Sequence, residues 1–365
     1  MKTNVSILII LLLALYLKPI YAQHNLAQVE ILQAIPKNYS AKYITTKIEI
    51  DGKMDNAWCS APWSTEFKDI EGAHKAPPTY KTKFKMLWDD NYLYIYAKLE
   101  EPHVWGTLKE HDAIIYHDND FEIFLKPKMN SSVYYEIEVN ALNTIMDLMM
   151  AKPYRFGGQA IMHWDTKNLK SAVHIEGTLN NPENKDSFWA VEMAIPFKSM
   201  HKFGTAPTPK ENSYWRINFS RVQWEHEVNE AKYSRKKVNG KHIPEENWVW
   251  SPIGLVNMHY PERWGFLHFT KDEISNQLPS IYEIEKTAWN MHYLQQIHKN
   301  KLQEYTADFT QLEGFSNILN NDLEKYDLQF TLSANKKFYH LRLQEKNSTF
   351  YFTIDSQGNY TTNYE

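Results

Sequence analysis

Three carboxylates alternate along one short segment, Asp118, Asp120 and Glu122, within DNDFEIFLK. In an extended chain successive side chains point to opposite faces, so these three share one face and Phe121 and Ile123 the other. Like charges set side by side repel, so such a row needs a purpose. Carboxylate oxygens accept hydrogen bonds from sugar hydroxyls, and Asp118 with Asp120 could ligate Ca2+ through hard oxygens. A solvated outer strand face is the competing explanation. Glu136, Glu138 and Asn140 repeat the pattern in YYEIEVNA. If the two segments pair, their rows merge into one acidic patch.

A second group is aromatic. Trp215, Trp224, Trp248, Trp250 and Trp264 are interleaved with Arg216, Asn218, Arg221, His259 and Glu262. A sugar needs a flat apolar platform for its C–H face and polar arms for its hydroxyls. Trp215 alternates with Ile217 and Phe219 and reads as core. The same alternation turns Arg221 inward, which is expensive for an unpaired charge. Either a bulge turns it outward or a carboxylate such as Glu122 meets it. Trp224 lies past the strand end and is a better platform. Trp248 and Trp250 share a face, and at least one is expected at the surface. Trp105, in the Pro102–Leu108 loop, and Trp164, after Gly157-Gly158, are further rim candidates. His259 can donate to a hydroxyl, although a lone His is more often structural. His111 and His117, near Asp112 and Asp118, match no compact zinc spacing. A tryptophan taken singly is more often core than ligand-contacting.

The elements that must position these residues are mostly strands. Phe84, Met86 and Trp88 share a face, Asp89-Asp90-Asn91 makes a turn, and Leu93, Ile95, Ala97 and Leu99 share a face on the return. Similar alternation runs through 119–126, 134–141, 169–178, 187–195, 215–222 and 265–269. Many short strands with turn signals between them predict a mainly β chain, an antiparallel β-sandwich of immunoglobulin-like or DOMON-like type. After Lys271 the pattern changes. Ile281, Ile284, Ala288, Met291, Leu294 and Ile297 recur at three- and four-residue spacing, predicting an amphipathic helix over 278–303. Three alternating strands follow. The expected division is therefore a sandwich over 40–271 and a small α+β unit over 278–365, one helix plus a three-stranded meander.

The 365 residues carry a formal charge of −4 and are 14% aromatic, with 23 Tyr and 12 Trp. No basic block suggests nucleic acid. Lys2, the apolar run Val5–Leu17, Pro19 and Ala22 read as a signal peptide over 1–22, too short for a comfortable membrane span. The mature chain is expected to be exported, periplasmic or secreted, with no membrane span after cleavage. Cys59 is the single cysteine, so no internal disulfide can form; its neighbours suggest a buried small residue.

Seven segments, taken in order, resemble the carbohydrate-binding module family 9-like proteins of bacteria. They are IDGKMDNAW, MLWDDNYLYIYAKLEEP, DNDFEIFLKP, YYEIEVNALNTIMDL, FWAVEMAIPF, WRINFSRVQW and NWVWSPIGLVNMHYPERWGFLHF, together covering about 40–271. The resemblance implies a glycan-binding β-sandwich, with structural calcium in some members. The xylanase-attached members clamp a terminal sugar between two tryptophans. Tyr116 stands at the first of those positions and Met258 at the second, and Glu138 replaces an Arg of their sugar site. The resemblance thus implies a glycan ligand held by a different set of side chains. A non-catalytic glycan binder is the first expectation. A glycoside hydrolase using Asp120 and Glu122 is the second, and a haem protein using Met86, Met258 and His259 the third.

Overall fold

The alternating segments become strands whose apolar faces meet in one core. A computed structural model describes residues 34–204, 208–272, 274–275 and 277–364. The expected signal peptide lies outside the described residues. The strands are β1 (Asn38–Tyr43), β2 (Lys68–Asp69), β3 (Thr82–Trp88), β4 (Tyr92–Glu100), β5 (Asp120–Lys126), β6 (Tyr134–Asn140), β7 (Ile145–Met150) and β8 (Ala160–Ile161). Then come β9 (Lys170–Glu176), β10 (Phe188–Pro196), β11 (Tyr214–Gln223), β12 (His226–Asn229), β13 (Lys232–Arg235), β14 (Lys237–Val238), β15 (Lys241–His242), β16 (Glu246–Val249) and β17 (Gly265–Thr270).

One large sheet runs β8-β7-β6-β5-β11-β17-β1-β3-β4-β10-β9, with β16 bridging β11 and β2. It curls so that strands far apart in this order face each other. Phe84 of β3 and Phe219 of β11 have ring centroids 4.0 Å apart. The inward residues expected from alternation on β3, β4, β5, β6, β10 and β11 all join this core. The sheet is mixed rather than purely antiparallel: β1 runs parallel to both β17 and β3, wedged between them.

The outer face of the β5–β6–β11–β17 half is covered too. A helix, α1 (Tyr282–Leu302), lies over it, followed by a sheet of β18 (Tyr326–Leu332), β19 (Tyr339–Glu345), β20 (Tyr351–Asp355) and β21 (Tyr360–Thr362). The expected meander has four strands instead of three. Phe124, Tyr134, Met146, Leu148 and Phe266 from the large sheet share a core with Ile284, Ala288, Met291 and Leu294 of α1, and with Leu341, Leu343 and Phe352. The helix is therefore buried on most of its circumference, its polar Glu285, Asn290, His292 and Gln295 included. Arg216 of β11 meets Glu285 of α1 in a buried ion pair that joins sheet to helix. No helix among the described residues is long and apolar enough to cross a membrane. Cys59 is exposed, because Trp58 takes the inward position and donates its indole N–H to Glu192 at 2.8 Å.

Candidate functional site

Strands β5 and β6 pair antiparallel with Asp120 opposite Asn140, Glu122 opposite Glu138 and Phe124 opposite Glu136. The two rows expected from the sequence do merge, but into a buried floor instead of a solvated patch. Asp120, Glu122, Glu136 and Glu138 are all at most 6% exposed. The loops ahead of β5 and β17 fold over this face. The Val222 N–H donates to Asp120 Oδ1 at 3.1 Å, and the Tyr116 N–H to Glu138 Oε2 at 3.1 Å. Asp120 Oδ2 and Glu136 Oε2 are buried without a hydrogen bond. No Lys or Arg among the described residues forms an ion pair with any of the four.

Burial disfavours the charged form of a carboxyl, and neighbouring carboxylates add to that cost. Desolvation, with help from Glu245, pushes Glu122 up to about 7 although Ser220 opposes it. Desolvation and then Glu122 push Glu136 up to about 8. Asp120 and Glu138 are raised well above the usual range by burial first and by the other carboxylates second. The floor titrates as a coupled set and holds protons near neutrality. A protonated carboxyl donates one hydrogen bond and accepts others, so it can serve a hydroxyl in either sense.

Two exposed rings stand at this floor. Tyr116 is 41% exposed, and its backbone is tied to Glu138. Tyr154 is 45% exposed, and Glu136 and Glu138 lie near enough to help burial raise its phenol. Tyr154 packs edge-on against His259, with ring centroids 4.5 Å apart. Arg155 fixes the turn that carries Tyr154: it stacks over Tyr260, donates to the His259 carbonyl and pairs with Glu262 at 2.6 Å. His259 itself is bonded to the Tyr134 hydroxyl at 2.8 Å; burial first and Arg155 second lower it to about 4, so it is neutral. Alternation could not have revealed Tyr154. Its only signal was an aromatic residue ahead of the Gly157-Gly158 turn.

The tryptophans are placed otherwise than expected. Trp248 and Trp250 are both buried, at 3% and 1% exposure, so neither offers a face to solvent. Trp250 fills the sandwich core beside Phe84, and Trp248 lies beside the Arg221 guanidinium. Trp164 is buried against Tyr135. Trp105 and Trp224 are covered by the β12–β13 hairpin: Tyr233 stacks over Trp105 and Arg235 over Trp224. Trp224 donates from its indole to the Tyr116 carbonyl at 2.7 Å and so holds up the exposed ring. Arg221 faces inward as alternation requires. The carboxylate that meets it is Glu101, at 3.0 Å, and Gln223 and Thr82 accept its other donors. Glu122 takes no part.

Asp118 and Asn140 organise loops. Asp118 accepts from the Thr107 N–H and hydroxyl, the Leu108 N–H and Asn140 Nδ2. Asn140 Oδ1 accepts from Leu142 and Thr144. With its oxygens so engaged, Asp118 does not pair with Asp120 for a metal. A group within coordinating reach on this floor is instead Asp120, Glu122 and Glu138. Oxygens alone suit a hard cation such as Ca2+. Met86 lies in the sandwich core while Met258 belongs to the second core, with His259 between Tyr134 and Tyr154, so the three residues considered for haem do not converge on one space.

Residues 50–250 match the family described as carbohydrate family 9 binding domain-like. Over 145 residues the chain is 27% identical to endo-1,4-beta-xylanase C of Paenibacillus barcinonensis, and over 151 residues 26% identical to exoglucanase XynX of Acetivibrio thermocellus. The matched regions are 38% and 41% of this chain but 12% of either enzyme. A solved structure from Bacteroides uniformis is 18% identical with TM-score 0.47, covering 64% of this chain and 99% of that one. A family 9 carbohydrate binding module of Caldicellulosiruptor kristjanssonii, solved with cellotriose, is 16% identical with TM-score 0.39, covering 67% and 98%. Matched over more than half of its length, the chain belongs to the carbohydrate family 9 binding domain-like family.

Proposed function

We propose that this chain binds a saccharide without cleaving it, outside the cytoplasm, in the service of glycan catabolism. Family membership supports carbohydrate binding. The observation that carries the site is a floor of four buried, raised carboxyls beside two exposed tyrosine rings, Tyr116 and Tyr154. The rings provide apolar platforms and the floor provides hydrogen bonds. The sequence reading of residues 1–22 is the basis for export.

Acid–base cleavage is the second reading, since a carboxyl raised to about 7 or 8 is what a general acid needs. The arrangement disfavours it. Catalytic carboxyls flank the scissile bond, about 5–10 Å apart. Here Asp120, Glu122 and Glu138 bring oxygens within 4.8 Å of one another on adjacent strands, all on one side.

A glycan array followed by calorimetric titration of the best ligand tests the binding reading. Tyr116→Ala and Tyr154→Ala are each expected to weaken binding about tenfold, or ~1.4 kcal/mol, with Tm unchanged. An array without hits, or wild-type affinity in both variants, would sink it.

A further inference from the structure

A second polar constellation lies away from the acidic floor, around His111. This residue sits in the loop between β4 and β5, beside Asp112. Asp147 of β7 and Asp165 of the loop between β8 and β9 converge on the same ring nitrogen. His111 Nε2 is 3.4 Å from Asp165 Oδ1, 3.5 Å from Asp112 Oδ1 and 3.9 Å from Asp147 Oδ1. Bonds of about 2.0–2.1 Å from one ion to a tetrahedral ligand set place the ligand atoms some 3.3–3.4 Å apart. His111, Asp112 and Asp147 offer ligand atoms all within 4.8 Å of one another, and the exposed Asp165, 3.4 Å from Nε2, would swing in to complete the set as it closes round an ion.

Two independent features point to an ion here. One is the imidazole. Its Nδ1 lies 3.0 Å from the Ile145 carbonyl, which can only accept, so Nδ1 carries the proton. The other nitrogen then turns a lone pair toward three carboxylates, an unfavourable arrangement unless a cation or a second proton stands between them. A metal-bound His commonly has this backbone hydrogen bond on its far nitrogen. The second feature is Asp147. It is 2% exposed, with Oδ2 receiving the Thr166 N–H, while Oδ1 is buried and makes no hydrogen bond. Asp112 Oδ1 is likewise buried without one. Asp112 is held in the left-handed region at φ 61°, uncommon for a residue other than glycine.

We propose that His111, Asp112, Asp147 and Asp165 form a site for a divalent cation of the Zn2+ class. The nitrogen ligand selects a borderline metal over Ca2+, which takes oxygens. No sequence motif announces the site, because its ligands come from three separate elements. Its consequence is positional: the ion would tie the loop leading to Tyr116 to β7 and to the loop that carries Trp164.

The test uses the full chain after chelator treatment, titrated with Zn2+ alone and followed by calorimetry and thermal unfolding. One Zn2+ per chain is expected. At about a hundredfold excess over Kd, Tm should rise by about 5 °C. Co2+ in its place should give the visible absorption of a tetrahedral site. His111→Ala should abolish all three effects while leaving the metal-free Tm unchanged, since His111 is exposed. Asp120→Asn should leave them intact, separating this site from the acidic floor. Binding that survives in His111→Ala would overturn the proposal. So would an absence of Zn2+ binding, and NMR showing His111 doubly protonated at neutral pH would then identify a proton as the occupant.

Discussion

Glu136 sits almost without solvent contact, one oxygen lacking any hydrogen bond, beside three other carboxyls. Moving such a group from water costs less if it keeps its proton, so its folded value rises from 4.5 to about 8. The sign of the pH effect follows. Between those values the folded chain holds a proton that the unfolded chain has already released, so stability falls as pH rises. Glu122, raised from 4.5 to about 7, acts in the same direction. His259, lowered from 6.5 to about 4, acts oppositely and costs stability as pH drops through that interval. Glu136→Gln isolates the first effect. Its Tm is expected to match wild type near pH 5 and to exceed it by about 5 °C near pH 9. Parallel curves for the two proteins would mean that Glu136 is not raised. The same protons set the hydrogen-bonding sense of the floor, since a protonated carboxyl donates where a carboxylate only accepts.

At the scale of elements, the contact of β17 with its surroundings depends on absence of a side chain. A Cβ on Gly265 would lie 2.4 Å from the Trp250 ring and 2.9 Å from the Lys37 carbonyl. Trp250 is locked in the sandwich core, edge-on against Phe84 and Phe219, and cannot withdraw. Gly265→Ala should therefore cost about 1–3 kcal/mol, read as a lower urea midpoint with an unchanged slope. A neutral result would show that the Trp250 ring has room to shift. This packing explains why the aromatic run misled as a sugar surface. Trp248, Trp250 and Trp264 lie where the sheet closes, and closure buries them. The exposed rings come from single 3-10 turns in the connections before β5 and after β7, where no periodicity marks them.

For the whole molecule, the large sheet is buried on both faces of its β5–β6–β11–β17 half. Its inner face meets the opposite half, and its outer face meets α1 and the small sheet. Ending the chain at Lys271 would uncover Phe124, Met146, Leu148 and Phe266 and would leave Arg216 without Glu285. Arg216 would then meet water and keep its bond to the Trp264 carbonyl, so the main cost is the apolar surface uncovered on the sheet. The truncated chain is expected to aggregate or to lose cooperative unfolding in calorimetry. A soluble truncation with a sharp transition would show that the C-terminal unit is dispensable to the sandwich.

Alternation with period two is a local property, and it was enough to place Phe84, Met86, Phe121, Ile123, Ile137, Val191 and Phe219 in one core. It also put Asp120, Glu122, Glu136 and Glu138 on a common face, because strand side chains must alternate. Whether that face met water was not local. Burial depends on which loops and which helix lie above it, and α1 (Tyr282–Leu302) is far along the chain from Asp120. The same holds for the partner of Arg221, which alternation turned inward but only the approach of Glu101 could neutralise. It holds for His111, whose neighbouring carboxylates Asp147 and Asp165 come from elements that the β6–β7–β8 pairing brings round. The strand pattern and the family were therefore legible in the residues themselves, whereas solvent exposure, charge pairing and the gathering of carboxylates round His111 were decided by the tertiary fold.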